Sequence, residues 1–140
     1  MIRIKRVDTS VASVAETLNQ LQLEILPADA LDDVSGGYWW IAYSDGNPVG
    51  FCGVKQSSRW FDTGYLCRAG LLPEHTGKGI QKRMIRVRAQ LAKKVGWRWL
   101  ISDTYENPAS TNSLTACGFK MYTPSIKHGA HGTCYWRKKL

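Results

Sequence analysis

The sequence predicts an α/β domain in which one crossover helix joins two parallel strands of a sheet otherwise built from hairpins. Three observations predict it. Residues 63–72 form an extended apolar run, 80–95 carry apolar residues at helical spacing, and 99–104 return to a strand, so strand, helix and strand follow one another as in a right-handed βαβ unit. Ahead of this unit, the aromatic and β-branched runs 38–43 and 49–54 flank Ser44-Asp45-Gly46-Asn47-Pro48, a hairpin signature. Behind it, 119–122 and 133–136 supply two last strands. With 140 residues, of which 44% are hydrophobic, one domain with a real core is expected.

Taken in order, Ile2-Arg3-Ile4-Lys5-Arg6-Val7 alternates apolar and basic side chains, as a half-buried first strand does. Asp8, Thr9 and Ser10 offer side-chain oxygens to a helix start, and Val11, Val14, Ala15, Leu18, Leu21 and Ile25 follow at helical spacing. Pro27 ends this helix or restarts the chain in a second short one. Residues 28–37 are acidic through Asp29, Asp32 and Asp33 and close on a glycine pair; a solvated, helix-capping loop competes there with contact to a cationic substrate. In the hairpin Asp45-Gly46 supplies the turn and Pro48 stands where a strand start admits it. Residues 56–62 are a polar connection holding Trp60 and Phe61.

The crossover helix has Ile80, Met84, Val87, Leu91 and Val95 in one apolar stripe, with Lys82, Arg83, Arg86, Gln90, Lys93 and Lys94 largely opposite and Gly96 as its stop. Asn107-Pro108 opens a last helix over 109–117, with asparagine as cap, proline at the first helical position and Gly118 as left-handed terminator. His128 and His131 lie in the loop 123–132. Gly129 and Gly132 argue against the helix that such a pair needs to bind zinc, and no further Cys/His set is near, so no metal is expected.

The formal net charge of +8 points to an anionic partner: nucleic acid, an anionic membrane surface or a phosphorylated small molecule. Cys52, Cys67, Cys117 and Cys134 are scattered without a C-x-x-C pair, and no basic-then-apolar leader opens the sequence; four free thiols in a reducing cytoplasm are expected. No apolar run approaches the length that crosses a bilayer, so no membrane partner is expected. The anion is best received at Leu71-Leu72-Pro73-Glu74-His75-Thr76-Gly77-Lys78-Gly79-Ile80-Gln81. Two glycines one residue apart let successive N–H groups face one ligand group, and the helix that follows adds roughly half a positive charge at its unpaired N-terminal amides. Lys78, Lys82 and Arg83 in the first turn oppose the helix dipole and make better sense beside a bound anion. The plain alternative is a glycine turn that only caps a surface helix.

Two of these stretches carry a family resemblance. Residues 72–81 resemble the acetyl-CoA pyrophosphate loop of GNAT-superfamily N-acetyltransferases, written R/Q-x-x-G-x-G/A, with Thr76, Gly79 and Gln81 in its three defined places. Residues 107–119 resemble that family's later N-x-x-A-x-x-L-Y-x-x-x-G-F helix: Asn107, Gly118 and Phe119 match, Ser110 stands for the alanine, and Ser113-Leu114 replaces Leu-Tyr. The resemblance covers nearly the whole chain. It implies a mixed, mostly antiparallel sheet of about six to seven strands with a splayed parallel pair, flanked by about four helices. It further implies acetyl-CoA as co-substrate, with pyrophosphate on the N–H groups of Thr76, Gly77, Lys78, Gly79, Ile80 and Gln81. Pantetheine would lie along Leu71 and Leu72, and Asn107 with Ser110 or Ser113 would meet the pantetheine or the departing sulfur. A primary amine of a small molecule or protein would attack the thioester directly.

The resemblance leaves the proton chemistry open. Leu114 occupies the family's tyrosine place, and strand 63–72 holds no carboxylate, so Tyr65, His75, Tyr105 and Tyr122 are the candidate proton carriers. Two other functions compete: a degenerate fold that binds CoA or a partner without turnover, and a nucleic-acid module using the basic helix with Trp39, Trp40, Trp60 and Trp97 as stacking platforms. The acceptor's identity and the oligomeric state, a homodimer included, are not readable from the chain.

Overall fold

The computed structural model describes residues 1–30 and 33–140. Its strands are β1 (Ile2–Val7), β2 (Tyr38–Ser44), β3 (Asn47–Gln56), β4 (Thr63–Leu71), β5 (Trp99–Thr104), β6 (Lys120–Tyr122) and β7 (Cys134–Lys139). They form one sheet in the order β1-β2-β3-β4-β5-β7-β6, mixed and mostly antiparallel. Among the described residues, only β4 and β5 pair in parallel. Among the described residues there are three α-helices, α1 (Ala12–Ile25), α2 (Ile80–Val95) and α3 (Pro108–Ala116), with 3₁₀ turns at Val34–Gly36 and Pro73–His75. The sequence-predicted βαβ unit is therefore β4-α2-β5. None of these helices is long and apolar enough to cross a membrane.

Local chemistry sets the register. Asp45 at φ 49° and Gly46 at φ 85° both adopt the left-handed conformation a two-residue hairpin turn requires, which fixes Ser44 opposite Asn47. Alternation along β2 then sends Trp39 and Ile41 to one face and Trp40 and Ala42 to the other. The first pair packs with Phe51 under Leu18 and Leu21 of α1. The second joins Val54, Leu66 and Leu100 beneath Met84, Ile85 and Leu91 of α2 and Leu114 of α3.

Several expectations need correction. Val11, not the Asp8-Thr9-Ser10 group, occupies the cap position of α1 and makes no side-chain bond. Asp8 instead accepts from the Ser10 N–H at 3.0 Å and hydroxyl at 2.6 Å, closing a turn before the helix, and these bonds hold its carboxyl below the ordinary range. The buried face of α2 comprises Ile80, Met84, Ile85, Arg88, Leu91 and Ala92, while Val95 is exposed, because the helix packs on α3 as well as on β3 and β4. Trp39, Trp40 and Trp97 are core residues, and Trp60 packs edge-on against Trp99 and Tyr122, so the indoles do not form a stacking surface for bases. In the acidic stretch Asp29 pairs with Arg68 at 3.1 Å and Asp33 caps Ser35; Asp32 lies outside the described residues. The four cysteines carry free thiols.

Trp97 marks the tightest approach between helix end and sheet. Its Nε1 donates to Gln56 Oε1 at 2.8 Å, and its ring covers Gly64 so closely that a Cβ there would lie 2.4 Å from Cε3. Gly64→Ala must displace a tethered indole, and overpacking of this kind costs about 1–3 kcal/mol. The expected result is a lower urea midpoint with an unchanged m-value.

Candidate functional site

A bulge in β4 creates the site. Cys52 pairs with Ala69 and Val54 with Leu66, so Gly53 of β3 faces two residues of β4, Cys67 and Arg68. A bulge bends its strand and raises its twist. The parallel pairing with β5 ends within the same stretch, at Tyr65 opposite Ile101, although β4 continues to Leu71 and β5 to Thr104. Between the separated strand ends lies a cleft of about 410 Å³. Leu66, Cys67 and Ala69 line it from β4, and Ser102, Asp103 and Thr104 from β5. Gln81, Ile85 and Arg88 contribute from α2, and Asn107, Ser110, Ser113 and Leu114 from the start and body of α3.

The glycine turn adjoins this cleft at Gln81. Gly77 and Gly79 have φ of 75° and 77°, and a Cβ on either would meet nothing within 4 Å, so backbone handedness and not crowding selects glycine. Gly79 is the cap residue of α2 and offers no side chain to its amides. Among the described residues, the N–H groups of 77–82 find no acceptor within the protein. Six consecutive donors at a helix start are a cradle for a polyanion. Thr76 turns its hydroxyl back onto the Pro73 carbonyl at 2.8 Å, and Arg83 reaches away to the Ile2 carbonyl at 3.0 Å. Leu71 is a core side chain, and the Leu72 N–H and C=O are engaged with Val49 and His75.

Asn107 caps α3 by accepting from the Ser110 N–H at 3.1 Å. That bond fixes the carboxamide oxygen and leaves its NH₂ as a donor at the mouth of the cleft. Leu114, buried, faces the cleft with hydrocarbon where the resemblance has a phenol.

Two of the four candidate proton carriers, Tyr65 and Tyr122, collect on the other side of the sheet. A second cavity of about 390 Å³ shares Lys55, Tyr65, Ser102 and Asp103 with the cleft and adds Tyr122, His128 and Tyr135. Tyr65 donates its hydroxyl to Asp103 Oδ2 at 3.1 Å, and His128 Nε2 lies 3.2 Å from the same oxygen. Burial, followed by the Asp103 charge and hydrogen bond, pushes the Tyr65 phenol well above its ordinary pKa. Burial also raises Tyr122, against the pull of Arg137, whose guanidinium lies 4.9 Å from its ring centre. Tyr105 is half-exposed and lines neither cavity. Nor does His75, whose Nδ1 is buried without a partner.

Sequence reasoning missed Asp103, and weighed His128 only as half of a zinc pair, not as a neighbour of Asp103. A signal for Asp103 existed: it is the single charge in β5, two residues beyond Ile101 and so on the face that carries Tyr65. His128 had none, since the loop that brings it there has no pattern of its own.

The fold is shared with known proteins. An acetyltransferase from Bacillus subtilis in complex with CoA superposes with a TM-score of 0.78 at 15% identity, over 100% of this chain and 99% of that one. The PaiA N-acetyltransferase from Thermoplasma acidophilum in complex with coenzyme A gives 0.76 at 18% identity, over 100% and 99%. The IAA acetyltransferase from Bacillus cereus gives 0.75 at 17% over the whole of both chains. At such identities the likeness is one of fold. No curated protein matches the chain in sequence. The model of the acetyltransferase (GNAT) family, however, matches residues 9–119, most of the chain and both stretches that build the cleft, and the chain belongs to that family.

Proposed function

We propose that the protein is an N-acetyltransferase that moves the acetyl group of acetyl-CoA to a primary amine by direct attack in a ternary complex. The observation that carries this reading is that the cleft, lined beside the glycine turn by Gln81, shares the Tyr65 and Asp103 side of its lining with the second cavity. A long thioester with an anionic end fits the cleft, and an amine can enter through the second cavity. The CoA complexes of two fold relatives support the donor class.

In this reading the amides of 77–82 hold the pyrophosphate, and the pantetheine arm fills the gap between β4 and β5. Asn107, Ser110 and Ser113 supply its polar contacts from α3. The amine nitrogen forms the C–N bond as the C–S bond breaks, and the electron pair of that bond leaves on sulfur. An amine is mostly ammonium at neutral pH and must first lose a proton. The Asp103 carboxylate draws the cation, and the His128 imidazole takes the proton, a task suited to imidazole near neutrality. Tyr65 stays neutral and holds Asp103 in place. Leu114 gives no proton to the departing sulfur. A CoA thiol, near the roughly 8.5 of a cysteine thiol, leaves as thiolate at modest cost beside the N-termini of α2 and α3. That apolar residue is also what favours the second reading, CoA binding without turnover.

Three outcomes are expected. Gly77→Val and Gly79→Val force a β-branched residue into left-handed backbone over the amide cradle; calorimetry should give acetyl-CoA affinity at least several-fold weaker in folded protein. Unchanged affinity in both variants would remove the turn from the site. Asp103→Asn and His128→Ala should each lower kcat by about a hundredfold or more with acetyl-CoA affinity kept. CoA binding with no thiol release from any amine in the unsubstituted protein would favour the non-catalytic reading. The third outcome follows from Tyr65. Its native pKa is raised above the unfolded value of about 10, so the unfolded chain ionises first; the stability this provides is intact below about pH 10 and falls as pH rises further. Urea midpoints measured on both sides of pH 10 should drop less in Tyr65→Phe than in the unsubstituted protein, and equal drops would mean that Tyr65 titrates normally.

A further inference from the structure

Arg88 is a buried cation that the acetyl-transfer reading does not use. Its residue is 3% exposed, yet it lines the cleft. Nε donates to the Met84 carbonyl at 3.0 Å and Nη1 to the Gly53 carbonyl at 3.2 Å. Both acceptors are neutral. A guanidinium has five N–H donors, so three remain, and among the described residues no carboxylate pairs with it. A buried charge without a counter-charge is costly. Closing the carbonyl of Gly53 at the bulge does not require that cost, since a neutral glutamine could donate there equally well.

The position of Arg88 indicates which anion it awaits. Gln81, Ile85 and Arg88 lie on one face of α2 at spacings of four and three, so Arg88 sits about 10 Å along the helix from the turn that receives pyrophosphate. Its bond to the Gly53 carbonyl sets it at the bulge, near where the pairing of β4 with β5 ends at Tyr65 and Ile101. A donor held by its pyrophosphate at the turn points its acyl group toward this end. Arg88 does not line the second cavity, so an amine entering there meets Asp103 and not the guanidinium. An acetyl group offers Arg88 only a neutral thioester carbonyl and a methyl, neither of which balances the buried charge. A short acyl chain ending in a carboxylate offers charge-assisted, bidentate hydrogen bonds to the unused donors.

We infer that Arg88 recognises a carboxylate at the end of the donor's acyl chain, and that the site takes CoA thioesters of short dicarboxylic acids, of malonyl or succinyl type, in preference to acetyl-CoA. This rests on the reading of the cleft as the acyl-CoA site. The transfer step keeps its balance: the thioester carbon still exchanges sulfur for nitrogen, and the distal carboxylate takes no part in bond making.

Calorimetry with CoA, acetyl-CoA, malonyl-CoA and succinyl-CoA tests it on the unsubstituted protein, Arg88→Gln and Arg88→Lys. The unsubstituted protein should bind at least one carboxyacyl donor tenfold or more tighter than acetyl-CoA. Arg88→Gln, which keeps a donor for Gly53, should erase that preference while leaving CoA affinity within threefold; Arg88→Lys should retain part of it. Equal affinity for acetyl and carboxyacyl donors in the unsubstituted protein overturns the inference even if neither variant folds. So does a preference that survives Arg88→Gln, or an Arg88→Gln loss that is the same for CoA and every thioester. Failure of CoA itself to bind overturns the proposed function along with the inference, whereas tight acetyl-CoA binding without carboxyacyl preference leaves the proposed function standing.

Discussion

The bulge at Cys67 and Arg68 is the constraint on which the rest of this structure depends. A parallel pair held in register to its end would leave no room between β4 and β5, and the sheet would present two closed faces. One extra residue in β4 opposite Gly53 is accompanied by the loss of pairing after Tyr65, and the opened gap is what Gln81 and Asn107 border from either side. The bulge also leaves the Gly53 carbonyl to a side-chain donor, and Arg88 supplies it. The opening of the cleft and the bond that holds the buried cation meet at one irregularity in one strand.

The glycine turn depends on the same geometry. An amide cradle at a helix start binds an anion wherever it occurs, but here the helix leaves from the strand that borders the gap, so whatever is anchored at 77–82 has its remainder directed into the cleft. The net charge of +8 contributes less to this than its size suggests. Arg6 lies over the Tyr38 ring, Arg137 over Trp99 and Tyr122, Arg68 pairs with Asp29, Arg83 bonds the Ile2 carbonyl, and Arg88 is buried. Five of the cations are engaged in holding elements together, which is why a basic composition does not by itself indicate a nucleic-acid surface.

What could be read from the sequence was what is local. The Asp45-Gly46 hairpin, the strand-helix-strand unit, the Asn107 cap and the glycine turn each follow from residues adjacent in the chain, and each is present. Features that depend on two distant segments were not legible. Asp103 meets Tyr65 only because the parallel register places β5 beside β4, and meets His128 only through the eleven-residue loop between β6 and β7, which has no periodicity. Arg88 reads on a helical wheel as one more basic residue, yet α2 packs on β3, β4 and α3 at once, and this broad contact draws the arginine inside. The tryptophans misled for the opposite reason: aromatic residues beside basic ones suggest a stacking surface, whereas strand alternation and the hairpin register sent Trp39 and Trp40 into two separate clusters.

The division of labour across the sheet explains how a site can lose a phenol at Leu114 and remain suited to chemistry. On the helix α2 and α3 side, the cleft is built of amides, hydroxyls, hydrocarbon and the always-charged Arg88 guanidinium, groups that hold a thioester without exchanging protons with it. On the opposite face Asp103, Tyr65 and His128 form a hydrogen-bonded cluster at the point where the two cavities join. The difficult proton is the one on the incoming ammonium, because an amine near pKa 10 is almost fully charged at neutral pH, whereas a thiolate near 8.5 is a tolerable leaving group. In the proposed reaction, concentrating the proton-handling groups where the amine would enter, and leaving the sulfur's surroundings apolar, matches the larger barrier with the larger share of the machinery. A tyrosine beside the sulfur would ease the step that needs less help, so Leu114 is compatible with turnover in that reading, and Asp103 of the parallel neighbour would stand in for the carboxylate missing from β4.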